Sequence, residues 1–380
     1  MISICEPNLC GKELEYLSHC VSSNYVSSVG PYVNQFEKMV AAVSETAQAV
    51  VTSSGTTALQ MALLGVNVKV GDLVILPSFT FIGSANAISH CGAMPLLVDI
   101  NPDSLLIDVK SLEHLLRDFT TRSSDGLHFK NTGQKISAIV PVYTLGTPAD
   151  MDPIRNLAHE FGIPVVADAA AAIGATYKNQ PLGGLADLSV YSFNGNKTIT
   201  SGAGGAIVGN NQKVLQRLRH LTTTARVGNK YDHDEIGFNY RMTNLQAAIG
   251  CAQMENLQMF VEKKRLIFQT YSHAFKNIEQ FEMVHQPHWA QSASWFSGLI
   301  LTDKLEKEFP SIIDKLKDRH IEARPFWKPI HLQKPYHNAP FLKLDQCDRV
   351  WKRILILPSG TQLTESEQDH VITSLKDIIS

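Results

Sequence analysis

At 380 residues and 44% hydrophobic content, the chain is long enough to bury a sizeable core and to form one large domain with a smaller one beside it. A formal charge of −2, from 34 basic and 36 acidic residues with no long block of either sign, leaves no basic stripe for nucleic acid or for an anionic membrane surface. Small molecules are the expected partners.

The opening segment MISICEPNLCGKELEYL has no basic stretch followed by an apolar one, and no run of 18 apolar residues occurs anywhere. A cytoplasmic protein is therefore expected. Cys5, Cys10, Cys20, Cys91, Cys251 and Cys347 include no CxxC pair, which argues against a disulfide framework and against a metal site. Further on, VVTSSGTTALQMALLGV (50–66) passes from a strand through Ser53, Ser54, Gly55, Thr56 and Thr57 into an apolar helix. Backbone N–H groups and hydroxyls converge there, as an ordinary helix cap or as an anion site suited to a phosphate.

Apolar runs of strand length then alternate with helical patterns. LVILPSFTF (73–81) precedes GSANAISHCG, MPLLVDI (94–100) precedes DVKSLEHLLRDF, SAIVPVY (137–143) precedes MDPIRNLAHEFG, and IPVVADA (163–169) follows directly. Continuous apolar strands separated by helices imply a mostly parallel α/β sheet covered on both faces. Such sheets bind ligands at the carboxyl ends of their strands. The polar stretch TTRSSDGLHFKNTGQK (120–135) reads as a loop, either a mobile insertion or a cover for substrate.

IPVVADAAAAIGA puts Asp168 at a strand end, where a carboxylate serves as a cap, as an ion-pair partner or as a functional group. The small side chains of Ala169 to Ala172 leave room for a flat group near the backbone. SFNGNKTITSGAGGAIV (192–208) sets Lys197 beside a glycine-rich turn that permits close backbone approach. Isolated loop lysines are ordinarily solvated charges. A phosphate cup, a strand-end aspartate and this lysine together specify pyridoxal phosphate, whose aldehyde needs an amine and whose ring nitrogen needs an anion to stay protonated. Asp168 supplies the anion. Lys197 anchors the aldehyde and, once freed, moves a proton between substrate and cofactor carbons.

After residue 240, TNLQAAIGCAQMENLQMFVEKKRLIFQTYSHAF reads as one long helix capped by Thr243, with Leu245, Ala248, Ile249 and Ala252 at helical spacing. It is expected to bridge two domains. Beyond it, helices such as SIIDKLKDRH alternate with short strands such as SWFSGLIL, RILILP and the segment near ARPFW, which fits a smaller α+β domain. The expected division is a large α/β domain over 1–255, including an N-terminal arm over 1–25, and a small domain over 256–380.

The blocks SSGTTALQMAL, GDLVILPSFTFIGSANAI, GAMPLLVDI, TPADMDPI, VVADAAAAIGA, YSFNGNKTITSGAGGAIV and GFNYRMTNLQAAIGCAQMENL resemble, in order and spacing, the DegT/StrS-type sugar-nucleotide aminotransferases of fold type I. The resemblance covers nearly the whole chain. It implies a pyridoxal 5'-phosphate-dependent transferase in which Gly55 and Thr56 hold the phosphate, Ser192 adds a hydroxyl and Phe81 stacks on the ring, unless Phe81 is a core aromatic. Asn239 of GFNYR, otherwise a turn or cap residue, would reach the phosphate from the neighbouring subunit of a homodimer. His331, Tyr143 and Asn194 would face the sugar nucleotide, the alternative for His331 being a surface position.

SNYVSSVGPYVNQFE (23–37) and SFNGNK look most like the branch serving bacillosamine and legionaminic acid pathways. The implied reaction moves an amino group from L-glutamate to the 4-keto carbon of a UDP- or GDP-linked, 2-acetamido 4-keto-6-deoxyhexose for surface glycan synthesis. Alternatives are a 3-keto or other nucleotide-linked keto sugar, and a regulatory protein without turnover. Sugar dehydration is disfavoured because the relatives that perform it carry histidine where this chain has Lys197. Ala171, Ala203 and Tyr143 depart from the residues common in the family, which bears on the substrate and not on the cofactor.

Overall fold

The computed structural model describes residues 1–379. Its main sheet grows from strand Leu73–Pro77, which pairs in parallel with Met94–Val98 on one side and Lys135–Ile139 on the other. Parallel bridges from Ile139 to Val165 and from Val142 to Asp168 carry the sheet on to Val166–Asp168, which lies parallel to Leu188–Ser192. Gly205–Gly209 runs antiparallel to that strand, and Gln48–Thr52 antiparallel in turn to Gly205–Gly209. The mostly parallel sheet read from the apolar runs is present.

Strand periodicity explains why both faces are dry. Leu73 and Ile75 belong to one core cluster and Val74 and Leu76 to another, and Ala49, Val50 and Val51 alternate in the same way. Successive side chains point to opposite faces, so an unbroken apolar strand feeds two cores and needs helices on both sides.

Two sequence expectations require correction. Residues 120–135 are not a loop: Thr120–Ser123 and Gly126–Phe129 form a hairpin, and Leu127 pairs with Ile136 to extend the sheet. Leu127 and Phe129 are buried while the intervening His128 is not, an alternation that follows a two-residue Ser124-Asp125 turn closed by Gly126 pairing with Ser123. The helix after residue 240 is also not continuous. Asn244–Glu255 ends at Asn256, whose φ of −107° and ψ of 5° leave the helical region, and Leu257–Phe275 begins anew. Asparagine competes with helical backbone through its own side chain, and the Asn256 amide donates to the Ala252 carbonyl at 3.2 Å. Thr243 caps the first of these helices as expected, in a reciprocal box with Gln246.

A second sheet is antiparallel, ordered Phe281–Met283, Ser297–Leu301, Ile354–Leu357, Arg324–Pro325. It packs a third core with Ile267, Tyr271 and Phe275 of the long helix and with Val371 and Leu375 of the last one. The chain's first residues join this part. Ile2 bridges in parallel to Ile321, and the Ile4 carbonyl accepts from the Ser359 N–H at 2.7 Å. Among the described residues no helix is long and apolar enough to cross a membrane.

Candidate active site

A cavity of about 450 Å³ opens at the carboxyl ends of the parallel strands. Its floor comes from strand ends and the helix starts that follow them. Its roof comes from Trp295, Arg324 and Trp327, around the second sheet.

Gly55 begins the helix Gly55–Gly65 behind an N-cap serine. The Ser54 hydroxyl accepts from the Thr57 N–H at 3.1 Å, and the Thr57 hydroxyl accepts from the Ser54 N–H at 3.1 Å. That box satisfies two donors and leaves the N–H groups of Gly55 and Thr56 without a protein acceptor among the described residues. Ser192, the last residue of its strand, stands directly against Gly55. A Cβ at position 55 would come within 2.8 Å of the Ser192 Cβ, so glycine is what lets the helix start and the hydroxyl share one concave wall. Free N–H groups at a helix N-terminus with a hydroxyl beside them fit a phosphate dianion.

Asp168 ends strand Val166–Asp168 and is buried. Ser84 donates its hydroxyl to Oδ2 at 2.6 Å and the Ala170 N–H donates to Oδ1 at 3.1 Å. Burial pushes its pKa above the ordinary carboxylate value, while those hydrogen bonds and the charge of Lys197 pull it down. A cationic ring nitrogen placed against it would tip that balance to the carboxylate.

Lys197 leaves a turn closed by its N–H to the Asn194 carbonyl at 3.0 Å, and its Nζ lies 3.7 Å from the centroid of the Trp295 ring. Burial lowers the amine's pKa to about 8, against the opposing charge of Asp168. Such an amine is available as a base near neutral pH.

The remaining sequence candidates divide. Phe81 lines the cavity and is 55% exposed, whereas Phe79 of the same FTF segment is fully buried, so Phe81 is not a core aromatic in this chain. Tyr143, Asn194, Ala171 and Ala203 also line the cavity. Tyr143 buries its hydroxyl with no hydrogen-bond partner among the described residues. Asn239 is exposed and is not part of this cavity wall. His331 is not brought to the site. Its Nδ1 pairs with the Ser78 hydroxyl at 2.7 Å and its Nε2 with Asp348 at 2.9 Å, which uses both ring nitrogens structurally.

The sequence reading missed Ser84, Trp295, Trp327 and Arg324. Ser84 is one turn into the helix that follows FTF and meets Asp168 across 84 positions, a pairing that no local pattern reveals. Trp295 and Trp327 were visible only as aromatic residues of small-domain strands. The Arg324 guanidinium makes no hydrogen bond or ion pair among the described residues and packs over Phe296 at 5.6 Å, leaving its cation to the cavity. These residues fit pyridoxal phosphate: a cup for its phosphate, a buried carboxylate for its ring nitrogen, an amine for its aldehyde, and an apolar slot between Phe81 and the small side chains of Ala170 and Ala171 for its ring.

The family model of the DegT/DnrJ/EryC1/StrS aminotransferase family matches residues 7–376. The chain belongs to that family. It is 35% identical to a putative pyridoxal phosphate-dependent aminotransferase, EpsN, of Bacillus subtilis, over 98% of this chain and 95% of the relative. It is also 35% identical to a GDP-perosamine synthase of Caulobacter vibrioides, over 100% of this chain and 98% of the relative. A crystal structure of a DegT/DnrJ/EryC1/StrS aminotransferase from Brucella abortus superposes with a TM-score of 0.88 at 26% identity, covering 97% and 95% of the two chains. This DegT-family enzyme is a pyridoxal phosphate-dependent sugar aminotransferase of α/β fold.

Proposed function

We propose that this enzyme transfers an amino group from L-glutamate to the 4-keto carbon of a nucleotide-linked 6-deoxyhexose, in the cytoplasm and as a homodimer. The observation that carries the reading is the convergence of Lys197, Asp168 and the free Gly55 and Thr56 N–H groups on one cavity. Bound pyridoxal phosphate supplies the electron sink that lets an amino group and a proton be exchanged. Gly55, Thr56 and Ser192 would hold its phosphate; Asp168, held by Ser84, would keep its ring nitrogen charged; Phe81 would border its ring. The Lys197 amine would anchor the cofactor and move the proton in both half-reactions.

Both substrates are anions, a dicarboxylate and a sugar diphosphate, and unpaired Arg324 at the cavity wall is the cation suited to receive them in turn. Full-length similarity to proteins named GDP-perosamine synthase supports a GDP-linked sugar over a UDP-linked one. The proposed division into a large part over 1–255 and a small part over 256–380 places the amine and its carboxylate on one side and Arg324 on the other. The test is incubation with cofactor, glutamate and a panel of GDP- and UDP-linked 3-keto and 4-keto sugars, with and without a 2-acetamido group, read by product mass. An aminated 4-keto product is expected. Amination confined to 3-keto sugars, or none with any member of the panel, would overturn the substrate assignment.

A further inference from the structure

Lys264 has no part in the chemistry described so far, yet it is 1% exposed in the middle of helix Leu257–Phe275. A lysine so buried ordinarily has a carboxylate partner. This one forms no salt bridge among the described residues. Its Nζ donates to the carbonyls of Ser359 at 2.8 Å and Trp295 at 3.0 Å, and lies 3.7 Å from the Sγ of Cys5.

Each of these partners leads towards Lys197. Trp295 lays its ring 3.7 Å from the Lys197 Nζ and donates its indole N–H to the Asn196 carbonyl at 2.6 Å. Cys5 donates to the same carbonyl at 3.5 Å. The Ser359 N–H binds the Ile4 carbonyl, so the N-terminal strand is pinned at the same point. The backbone before Trp295 is strained as well. Ser294 has a φ of 50°, a left-handed conformation that a non-glycine residue keeps only when its surroundings hold it there. The Lys264 bond to the Trp295 carbonyl is one of those restraints.

We propose that Lys264 is a positioning residue for amino transfer, acting through the Trp295 carbonyl to hold the indole against Lys197 and its turn. The inference rests on the reading of Lys197 as the working amine. Asp168, Cys5 and Lys264 are the ionisable groups whose charges act on that amine; Asp168 and Cys5 favour its protonated form and Lys264 opposes it. Burial opposes protonation too, while the Trp295 ring face, 3.7 Å from Nζ, favours the ammonium. Loss of Lys264 therefore removes a repelling charge, which favours the charged amine, and frees the indole, which uncovers it.

The experiment uses the full chain without cofactor. Acetylation of Lys197 is followed by peptide mass as a function of pH in wild type, Lys264→Met and Trp295→Phe, with Tm measured beside it. In Lys264→Met the pH of half-maximal labelling is expected to rise by at least about half a unit, and the labelling rate at high pH, where the amine is neutral, should rise in Lys264→Met and in Trp295→Phe as the indole no longer covers Nζ. A high-pH rate unmoved in Lys264→Met, with or without a fall in Tm, would make Lys264 a packing or charge residue alone and overturn the proposal. Should Lys264→Met fail to fold, Lys264→Gln, which retains a donor for one carbonyl, decides by the same criterion. The readout needs neither sugar nor glutamate, so a wrong substrate assignment leaves it intact, and borohydride fixation of cofactor on another lysine would separately remove its premise.

Discussion

Asp168 and Lys197 differ in how much of their environment is local. Their residue types and positions, one closing a strand and the other beside a glycine-rich turn, were legible in the sequence because strand ends in a parallel sheet are where ligands bind. The groups that tune them were not. Ser84 reaches Asp168, and Trp295 covers Lys197, across long stretches of chain. His331 shows the converse: its motif resembled a substrate residue, but Ser78 and Asp348 occupy both nitrogens. Replacing Asp168 by asparagine tests the residue scale directly. The amide oxygen can still accept from the Ala170 N–H and its NH2 can donate to the Ser84 hydroxyl, but it no longer stabilises a charged ring nitrogen, so the cofactor should bind while each half-reaction slows by at least about 100-fold, as for other lost electrostatic contacts. Single-turnover absorbance changes with glutamate alone, and then with the keto sugar alone, measure the two halves separately. Rates near wild type in both would show that another group holds the ring.

At the scale of elements, the helix starting at Gly55 does more than carry two N–H groups. Its capping box consumes the donors of Ser54 and Thr57, which singles out the Gly55 and Thr56 donors for a ligand. The run of serine, glycine and threonine made this readable as a cap or an anion site; the capping box is present, and the approach of Ser192 is what supports an anion site beside it. The hairpin over 120–129 and the break at Asn256 were hidden for a different reason. One is a short edge pairing whose two buried apolar residues, Leu127 and Phe129, are outweighed by polar neighbours, and the other turns on a single residue inside an otherwise periodic pattern. Gly55→Ala is expected to keep the fold and weaken the cofactor. The new Cβ would sit 2.8 Å from the Ser192 Cβ, closer than carbon atoms pack, so Ser192 and the helix start must separate and the cup opens. We expect cofactor affinity to fall at least about tenfold, the equivalent of roughly one charge-assisted hydrogen bond, with Tm of the cofactor-free protein little changed. Titration of the cofactor by absorbance checks the first, and thermal melts the second; unchanged affinity would place the phosphate elsewhere.

The whole molecule raises the question of what Asn239 faces. It is exposed, and in the segment before it Tyr231 and Ile236 are 85% and 91% exposed, two large apolar side chains that a lone chain leaves in water. In the homodimer proposed above, a second copy would cover this segment and bring Asn239 to the partner's cup. If each site joins Lys197 of one protomer to Asn239 of its partner, two separately impaired variants should repair one another. Lys197→Ala alone lacks the amine at every site, and Asn239→Ala alone weakens every cup. In a mixed dimer one site collects both defects and the other has neither. Random pairing makes about half the dimers mixed, with one intact site each, so co-expression should restore roughly one quarter of the wild-type sites. Cofactor fixed by borohydride, counted per protomer, measures those sites without reference to the sugar, and turnover measures them again. Were Asn239 to serve its own protomer's site, every site of the mixed dimer would carry one defect, and purified mixed dimers, confirmed by mass and supplied with cofactor, would show no recovery.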